Sequence, residues 1–264
     1  MSDIRHSWLK RVSIGTGIFL TAFILIVLIL IVTYPTPENL FTSIISEEIR
    51  FAIGLSLITS VTSTIFCIIL AVPTAYALAR YNFRGRNIIN TAIDMPLALP
   101  PLVAGVGLLL LFGTTSFGKE LTALGIKFIF TPYGIIIAQF FVNLPFMVRI
   151  LRSAFSSISP RYEYVARTLG CSEFSAFCRV TLPMAKDGFI AGTVITWSRA
   201  IGEFGAALMV AGATRMKTES LPVAVYLNMS TGDLDMATSA AAILILIAVI
   251  SLYVFEKFGG TTQI

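Results

Sequence analysis

The stretch Glu163-Tyr-Val-Ala-Arg-Thr-Leu-Gly170, followed after eleven residues by Leu182-Pro183, lies between two long apolar runs of the chain. The runs on either side are long enough to cross a membrane, whereas the stretch itself mixes charged and apolar side chains. A loop that only joins two membrane helices has no need of such a surface. A loop that docks into another protein does, so the stretch predicts a membrane bundle with a partner.

The composition indicates a membrane protein. The 264 residues are 56% hydrophobic and only 12% charged, compared with about 25% charged residues in an ordinary soluble domain. The net charge of +5 does not indicate nucleic-acid binding, because the basic residues cluster at the ends of apolar runs. Three cysteines without a CxxC pair and one histidine near the N-terminus predict neither a disulfide framework nor a metal site.

Six apolar runs predict six membrane helices, because a bilayer core needs about 20 apolar residues per helix. The first run is too long for a signal core and lacks a small-x-small cleavage site, so it predicts a retained helix. The fold class is therefore an all-α polytopic membrane protein. The predicted spans are Val12–Thr33, Phe51–Ala79, Ile88–Phe112, Pro132–Leu151, Phe189–Ala213 and Met236–Phe255.

The distribution of Lys and Arg predicts the orientation, because cytoplasmic loops carry an excess of both. It places both termini and the loop at 152–186 in the cytoplasm of a cell-membrane protein embedded in the lipid bilayer. Residues 1–50 then form a short tail, the first helix and an external loop. Residues 51–255 form the core, and 256–264 form a cytoplasmic tail.

Prolines inside the runs predict kinked helices, which bundles tolerate where neighbours satisfy the freed backbone groups. Pro73 and Pro145 are expected to interrupt the second and fourth helices, and Pro96, Pro100 and Pro101 crowd the third. Closely spaced small residues, such as Gly105 and Gly107, favour close helix packing.

The loop is predicted to contain two short helices. Ser159 and Pro160 suit an N-cap and first helical position, and Gly170 suits a left-handed end. A second helix is expected from Ser172-Glu173 to about Leu182-Pro183. An apolar stripe at helical spacing fits a protein groove and a membrane surface equally well; it consists of Tyr162, Val165, Ala166 and Leu169.

The loop resembles the EAA signature of ABC importer permeases, which has Glu-x-x-Ala, a glycine four residues later and a Leu-Pro further on. The matching residues are Glu163, Ala166, Gly170, Leu182 and Pro183. Tyr164-Val165 stands where the family pattern has an alanine, a departure that leaves the spacing intact. The resemblance implies the type I importer permease fold over roughly residues 51 to 255.

In such permeases the loop is a coupling helix held in a cleft of a separate ATPase. The resemblance implies that Glu163, with Tyr162, Ala166 and Leu169, transmits nucleotide-driven closure. No GxxxxGK[ST] loop occurs in the chain, so the chain is expected not to be an enzyme and to hold no cofactor. ATP and Mg²⁺ would belong to two ABC ATPase subunits, beside a second copy of the chain and an external oxyanion-binding protein.

The run Arg199-Ala-Ile-Gly-Glu-Phe-Gly-Ala206 resembles the molybdate and tungstate branch of the molybdate/sulfate permeases. Arg199 and Glu203 stand four residues apart, so they can pair on one helix face or serve the pathway. A tetrahedral dianion also suits hydroxyls and close glycine backbone. The pathway candidates of this kind are Thr193, Thr196, Ser198, Gly105 and Gly107.

Other functions are weighed against this one. A permease for sulfate or another anion would differ in cargo but not in mechanism. A secondary transporter would need an internal repeat and a buried ionisable coupling site, and the sequence offers no convincing repeat. A membrane enzyme is disfavoured because the sequence has neither an HExxH motif nor a nucleophile–base pair, so no catalytic residue is predicted.

Overall fold

The computed structural model describes residues 2–258. Within them the chain forms fourteen α-helices and a short π-helix, and no strand. The bounds are α1 Ser2–Thr33, α2 Pro37–Ile45, α3 Glu47–Arg80, α4 Arg86–Ala98, α5 Pro101–Gly113, α6 Ser116–Ala123, α7 Pro132–Ser157, α8 Arg161–Thr168, α9 Glu173–Ala176, the π-helix Phe177–Thr181, α10 Leu182–Met184, α11 Lys186–Ile201, α12 Gly205–Ala211, α13 Leu221–Thr231 and α14 Leu234–Phe258.

The predicted all-α membrane architecture is confirmed. Four helices are long and apolar enough to cross a membrane: α1 over Trp8–Thr33, α3, α7, and α14 over Leu234–Ser251. Two further pairs, α4 with α5 and α11 with α12, are each bent at a short break. Counting each bent pair as one span gives six, at the places of the six apolar runs. Of the predicted C-terminal tail, residues 259–264 lie outside the described part of the chain.

The third predicted span, Ile88–Phe112, is not one helix. It consists of α4 and α5, whose axes differ by 113°. Leu99 between them is extended, with ψ of 139°, as expected of the backbone before the Pro100-Pro101 pair. Pro101 then begins α5, where its missing N–H costs nothing. The prolines therefore divide this span rather than merely kink it.

The fifth predicted span, Phe189–Ala213, is divided as well. Helix α11 ends at Ile201 and α12 begins at Gly205, with a bend of 57° between them. By contrast, Pro73 and Pro145 lie inside α3 and α7 without ending either helix. Membrane helices keep such prolines where neighbours pack around them, and α3 packs against α7 more extensively than any other pair of elements.

Three apolar clusters hold the bundle together. One joins α3 to α7 through Cys67, Leu78, Met147, Leu151 and Phe155. The second joins α5, α7 and α12 through Leu108, Ile135, Val142 and Val210. The third joins the start of α3 to α13 and α14 through Ile49, Leu221, Ala240 and Ile243. Most apolar side chains of α1 between Trp8 and Leu30 are exposed, so this helix presents a surface that suits lipid or another chain.

Helix α5 approaches α12 closely at Gly105. A Cβ added there would lie 2.7 Å from Met209 Cβ and 2.8 Å from Ala206 Cα. Backbone atoms cannot move aside as a flexible side chain does. Gly107, two residues further along, has no atom within 4 Å of the equivalent position. Gly105 therefore has a packing role, and its predicted place on the translocation pathway stays a prediction.

Gly105→Ala is expected to destabilise the bundle by about 1–3 kcal/mol, since it overpacks the α5–α12 contact. Gly107→Ala is the matched control, because it adds a methyl group to open space and improves helix propensity. The measurement is the fraction of detergent-solubilised protein that stays monodisperse after heating. Equal melting of the two variants would contradict the close approach.

Candidate functional site

The loop between α7 and α11 carries the first candidate site. Helix α8 begins at Arg161, with Pro160 as its N-cap residue and the Ser159 hydroxyl accepting the Arg161 N–H at 3.4 Å. The predicted start, with Ser159 as the cap, is therefore one residue early. Gly170 has φ of 95°, which confirms the predicted left-handed end.

The second short helix is also confirmed at its start. The Ser172 hydroxyl accepts the Ser175 N–H at 3.2 Å and caps α9. Its predicted end near Leu182-Pro183 is early, because the π-helix passes directly into α10, which includes both residues and ends at Met184. After Ala185, α11 follows at once, so the loop is a continuous helical path into the bundle.

Glu163 is the buried residue of α8, with 9% of its surface exposed. Its Oε1 accepts hydrogen bonds from Arg80 Nε at 2.8 Å and Thr181 Oγ1 at 2.6 Å, and its Oε2 accepts one from the Tyr76 hydroxyl at 2.8 Å. These four residues are called the Glu163 cluster. The cluster ties α8 to the end of α3 and to the π-helix before α11.

The Glu163 cluster holds the carboxylate ionised. Burial alone would raise the pKa of Glu163, but the hydrogen bonds from Thr181, Tyr76 and Arg80 and the Arg80 charge outweigh it, so the pKa lies below its usual range. A buried carboxylate with three donors is stabilised only while all of them stay in place. Breaking such a pair from one side costs about 3–5 kcal/mol.

Several apolar side chains of the loop are exposed. Leu169 is 81% exposed and Phe174 is 76% exposed, and Tyr162, Tyr164 and Val165 are exposed beside them, while Ala166 is half-buried. The exposed residues Tyr162, Tyr164, Val165, Leu169 and Phe174 are called the apolar face. So many exposed apolar side chains within one short loop suit a contact with a protein or a membrane.

The sequence did not predict the partners of Glu163. Tyr76 and Arg80 lie 87 and 83 residues away in the chain, at the end of a span where a basic residue is typical of membrane topology. One signal was present, since Tyr76 and Arg80 are four residues apart and therefore share a helix face. Thr181, one residue before Leu182-Pro183, carried no signal.

The break between α11 and α12 holds the second candidate site. The Glu203 carboxylate accepts the N–H of Ala206, in the first turn of α12, at 2.9 Å. The Arg199 guanidinium lies over the Phe146 ring, with Cζ 3.8 Å from the ring centroid. Both side chains are described, and no ion pair or hydrogen bond joins them. The predicted pairing is wrong because α11 ends at Ile201, before Glu203.

The hydroxyl candidates have mixed surroundings. Thr193 Oγ1 donates to the Phe189 carbonyl at 2.9 Å, a bond to its own helix backbone. Thr196 is fully buried and its hydroxyl has no partner in the described part of the chain. Ser198 is half-buried. The pathway role of each stays a prediction.

A polar network that the sequence did not predict lies at the opposite end of the bundle from α8. Arg215 Nη1 is 2.6 Å from Glu48 Oε2, and Arg215 Nη2 donates to Asn228 Oδ1 at 3.0 Å. Glu219 is fully buried and accepts the Met216 N–H at 3.0 Å. The network fixes the segment at 212–220 to the start of α3 and to α13.

The bundle has six apolar runs, with a short helix between the fourth and the fifth. That helix is held to the bundle by a buried acidic residue and exposes apolar side chains. These features define the class: a permease subunit of an ABC importer. The chain belongs to the family of binding-protein-dependent transport system inner membrane components, which it matches over residues 68–258.

Three related proteins agree with this class. The chain is 37% identical to a probable molybdenum ABC transporter permease protein of Haloferax volcanii over 224 residues, which cover 85% of this chain and 81% of the relative. It is 37% identical to the molybdenum transport system permease protein ModB of Mycobacterium bovis, covering 88% and 87%. It is 29% identical to the sulfate transport system permease protein CysT of Escherichia coli, covering 91% and 89%.

Solved structures agree with the fold. A chain of a bacterial ABC transporter involved in the import of the acidic polysaccharide alginate superposes with a TM-score of 0.77 at 19% identity, covering 100% of this chain and 99% of that chain. A chain of the inward-facing MetNI methionine ABC transporter gives a TM-score of 0.63 at 15% identity, covering 81% and 98%. The predicted type I importer permease fold is thereby confirmed.

Proposed function

We propose that this permease carries molybdate or tungstate inward across the cell membrane, and that hydrolysis in separate ATPase subunits drives the transport. The cargo is supported by the names of the relatives, since molybdenum permeases are 37% identical to this chain, and sulfate permeases are 29% and 34% identical. The run from Arg199 to Ala206, which resembles the same branch, agrees with this.

The observation that carries the coupling is the two-sided α8 helix. Its exposed apolar side chains match a groove in a partner protein better than a headgroup layer, because Glu163 on the same helix is held to the bundle rather than left to water. An ATPase that grips the apolar face would move α8. The Glu163 cluster would then pass that movement to α3 through Tyr76 and Arg80, and to α11 through Thr181.

The proposed assembly contains two copies of this chain, two ATPase subunits and an external oxyanion-binding protein, with both termini and α8 in the cytoplasm. Six helices are few to enclose a translocation pathway within one chain, so two copies would form a pathway between them. ATP and Mg²⁺ would bind in the ATPases, and this chain would hold no cofactor. The transport cycle is an equilibrium between two conformations, which the nucleotide and the loaded binding protein bias in turn.

The test is the reconstituted complex of the permease, its ATPase and its binding protein in vesicles. Binding protein loaded with molybdate or tungstate is expected to stimulate ATP hydrolysis and uptake, and the sulfate-loaded protein is expected to do so much less. The same permease without ATPase, under a proton or sodium gradient, is the control and is expected to stay inactive. Preference for sulfate would overturn the cargo, and gradient-driven uptake would overturn the mechanism.

A further inference from the structure

We infer that the Arg199 guanidinium is an anion-contacting group of the translocation path, placed deep in the membrane at the break between α11 and α12. This inference rests on the proposed function, because it concerns how an oxyanion crosses the bundle. The break between α11 and α12 would then have a functional role in addition to its role in packing.

The depth of Arg199 follows from its helix. It lies thirteen residues beyond Lys186, the first residue of α11, which is about 20 Å along the axis at 1.5 Å per residue. The hydrocarbon core of a bilayer is about 30 Å thick. Arg199 therefore lies well inside the membrane, and a charged group there is costly unless it faces water, a ligand or an opposite charge.

Glu203 lies near enough to Arg199 to interact with its charge, but no carboxylate of the described chain forms an ion pair with Arg199. Glu203 bonds to the Ala206 N–H instead, and the guanidinium makes no ion pair or hydrogen bond there. Arg149 is the other basic residue within the six apolar runs, and it pairs with Asp94 at 3.3 Å. Arg199 is thus the one unpaired basic side chain of the described spans, and it is exposed.

The Phe146 ring orients Arg199 without neutralising it. The guanidinium lies 3.8 Å above the ring centroid, so its face is held by the cation–π contact while its N–H groups project from its edge. That edge is a planar fork of donors, which matches oxyanions in a bidentate manner. The Ile201–Glu203 break matters because an unbroken helix would have brought the Glu203 carboxylate back over this fork.

The chemistry suits passage of a tetrahedral dianion. One guanidinium attracts the dianion without enclosing it, so the ion can leave again when the conformation changes. An exposed cation at this depth cannot have lipid as its neighbour, because a charge in contact with the hydrocarbon core is energetically costly. The exposed side of Arg199 therefore faces the water-filled path.

The first experiment restores the charge chemically. Arg199→Cys is made in a background with Cys67→Ala, Cys171→Ser and Cys178→Ser, which itself must retain uptake. The reconstituted complex is treated with a methanethiosulfonate reagent that adds either a quaternary ammonium or a sulfonate. Arg199→Cys is expected to lower molybdate uptake about tenfold or more, the ammonium to restore part of it and the sulfonate none. No reaction, or equal effects of both reagents, would overturn the inference.

The second experiment uses variants that keep or remove the charge. Arg199→Lys is expected to keep uptake with a raised KM for the loaded binding protein or the anion, and Arg199→Gln to lose uptake while loaded binding protein still stimulates ATP hydrolysis. Arg149→Gln, which removes an already paired charge, is the matched control and is expected to keep most uptake.

The outcomes separate this inference from the proposed function. Normal uptake by Arg199→Gln would overturn the role of Arg199 while the importer stands. Absence of ATP-dependent molybdate uptake in the unmodified complex would overturn the proposed function instead. If the Lys, Gln and Cys variants all fail to assemble into the complex, Arg199 has a structural role, and its role in the path is overturned.

Discussion

Glu163→Lys is expected to abolish uptake while the permease remains in the membrane at its normal level. The substitution brings a second cation against Arg80, whose Nε is 2.8 Å from the native carboxylate, and removes the acceptor of the Tyr76 and Thr181 hydroxyls. The cost of breaking a buried pair from one side is about 3–5 kcal/mol. Membrane insertion depends on the apolar spans and their flanking charges, which the substitution does not touch. The measurement is ATP-dependent uptake beside the amount of permease in the membrane.

Two controls make this result specific. Arg80→Glu combined with Glu163→Lys reverses the pair and is expected to recover part of the uptake that either single change loses. Glu173→Lys changes the charge of a neighbouring exposed acid, which bonds to the Tyr81 hydroxyl at the surface, and is expected to keep most uptake because such surface pairs contribute little. Normal uptake by Glu163→Lys would count against the coupling role of the cluster.

Gly170→Val is expected to lower uptake about tenfold or more, because a β-branched residue at φ of 95° is strained by about 1–3 kcal/mol. The strain is purely that of the backbone, since a Cβ at Gly170 meets no atom within 4 Å. Relief requires the turn to open. That would disrupt the hydrogen bonds from the Gly170 N–H to the Arg167 carbonyl and from the Cys171 N–H to the Ala166 carbonyl, and would turn α9 relative to α8.

Gly170→Asn is the matched control, because asparagine tolerates the left-handed region. It is expected to keep most uptake, although it adds a larger polar side chain at the same place. Uptake and capture of the ATPase by the tagged permease are measured together for both variants. If Val and Asn reduce uptake equally, side-chain bulk at the partner interface is responsible and the turn conformation is not.

The loop could be predicted well because its signals are local. The left-handed Gly170 and the Ser172 cap depend on residues within one helical turn, and both are confirmed. The errors at its two ends, one residue at Ser159 and one residue beyond Pro183, reflect how weakly a single proline fixes a helix boundary. Proline favours the first helical position, yet Pro160 precedes the first residue of α8.

The divided spans show where local signals conflict. Pro73 and Pro145 leave their helices continuous, whereas the Pro100-Pro101 pair ends one. Proline alone therefore does not determine a break, because neighbouring helices decide whether the freed backbone groups are satisfied. The spacing of Arg199 and Glu203 predicted a pair only on the assumption of an unbroken helix.

The amino-acid sequence by itself determined the membrane class, the six apolar runs and the loop that carries the family signature, because these depend on composition and on spacing within a few residues. Only the tertiary structure decided which way Glu163 faces and which charge stays unpaired. The partners of Glu163 come from α3, more than eighty residues earlier, and the separation of Arg199 from Glu203 depends on the bend between α11 and α12. Such contacts are set by how helices pack against one another, and the pattern along one helix does not contain that information.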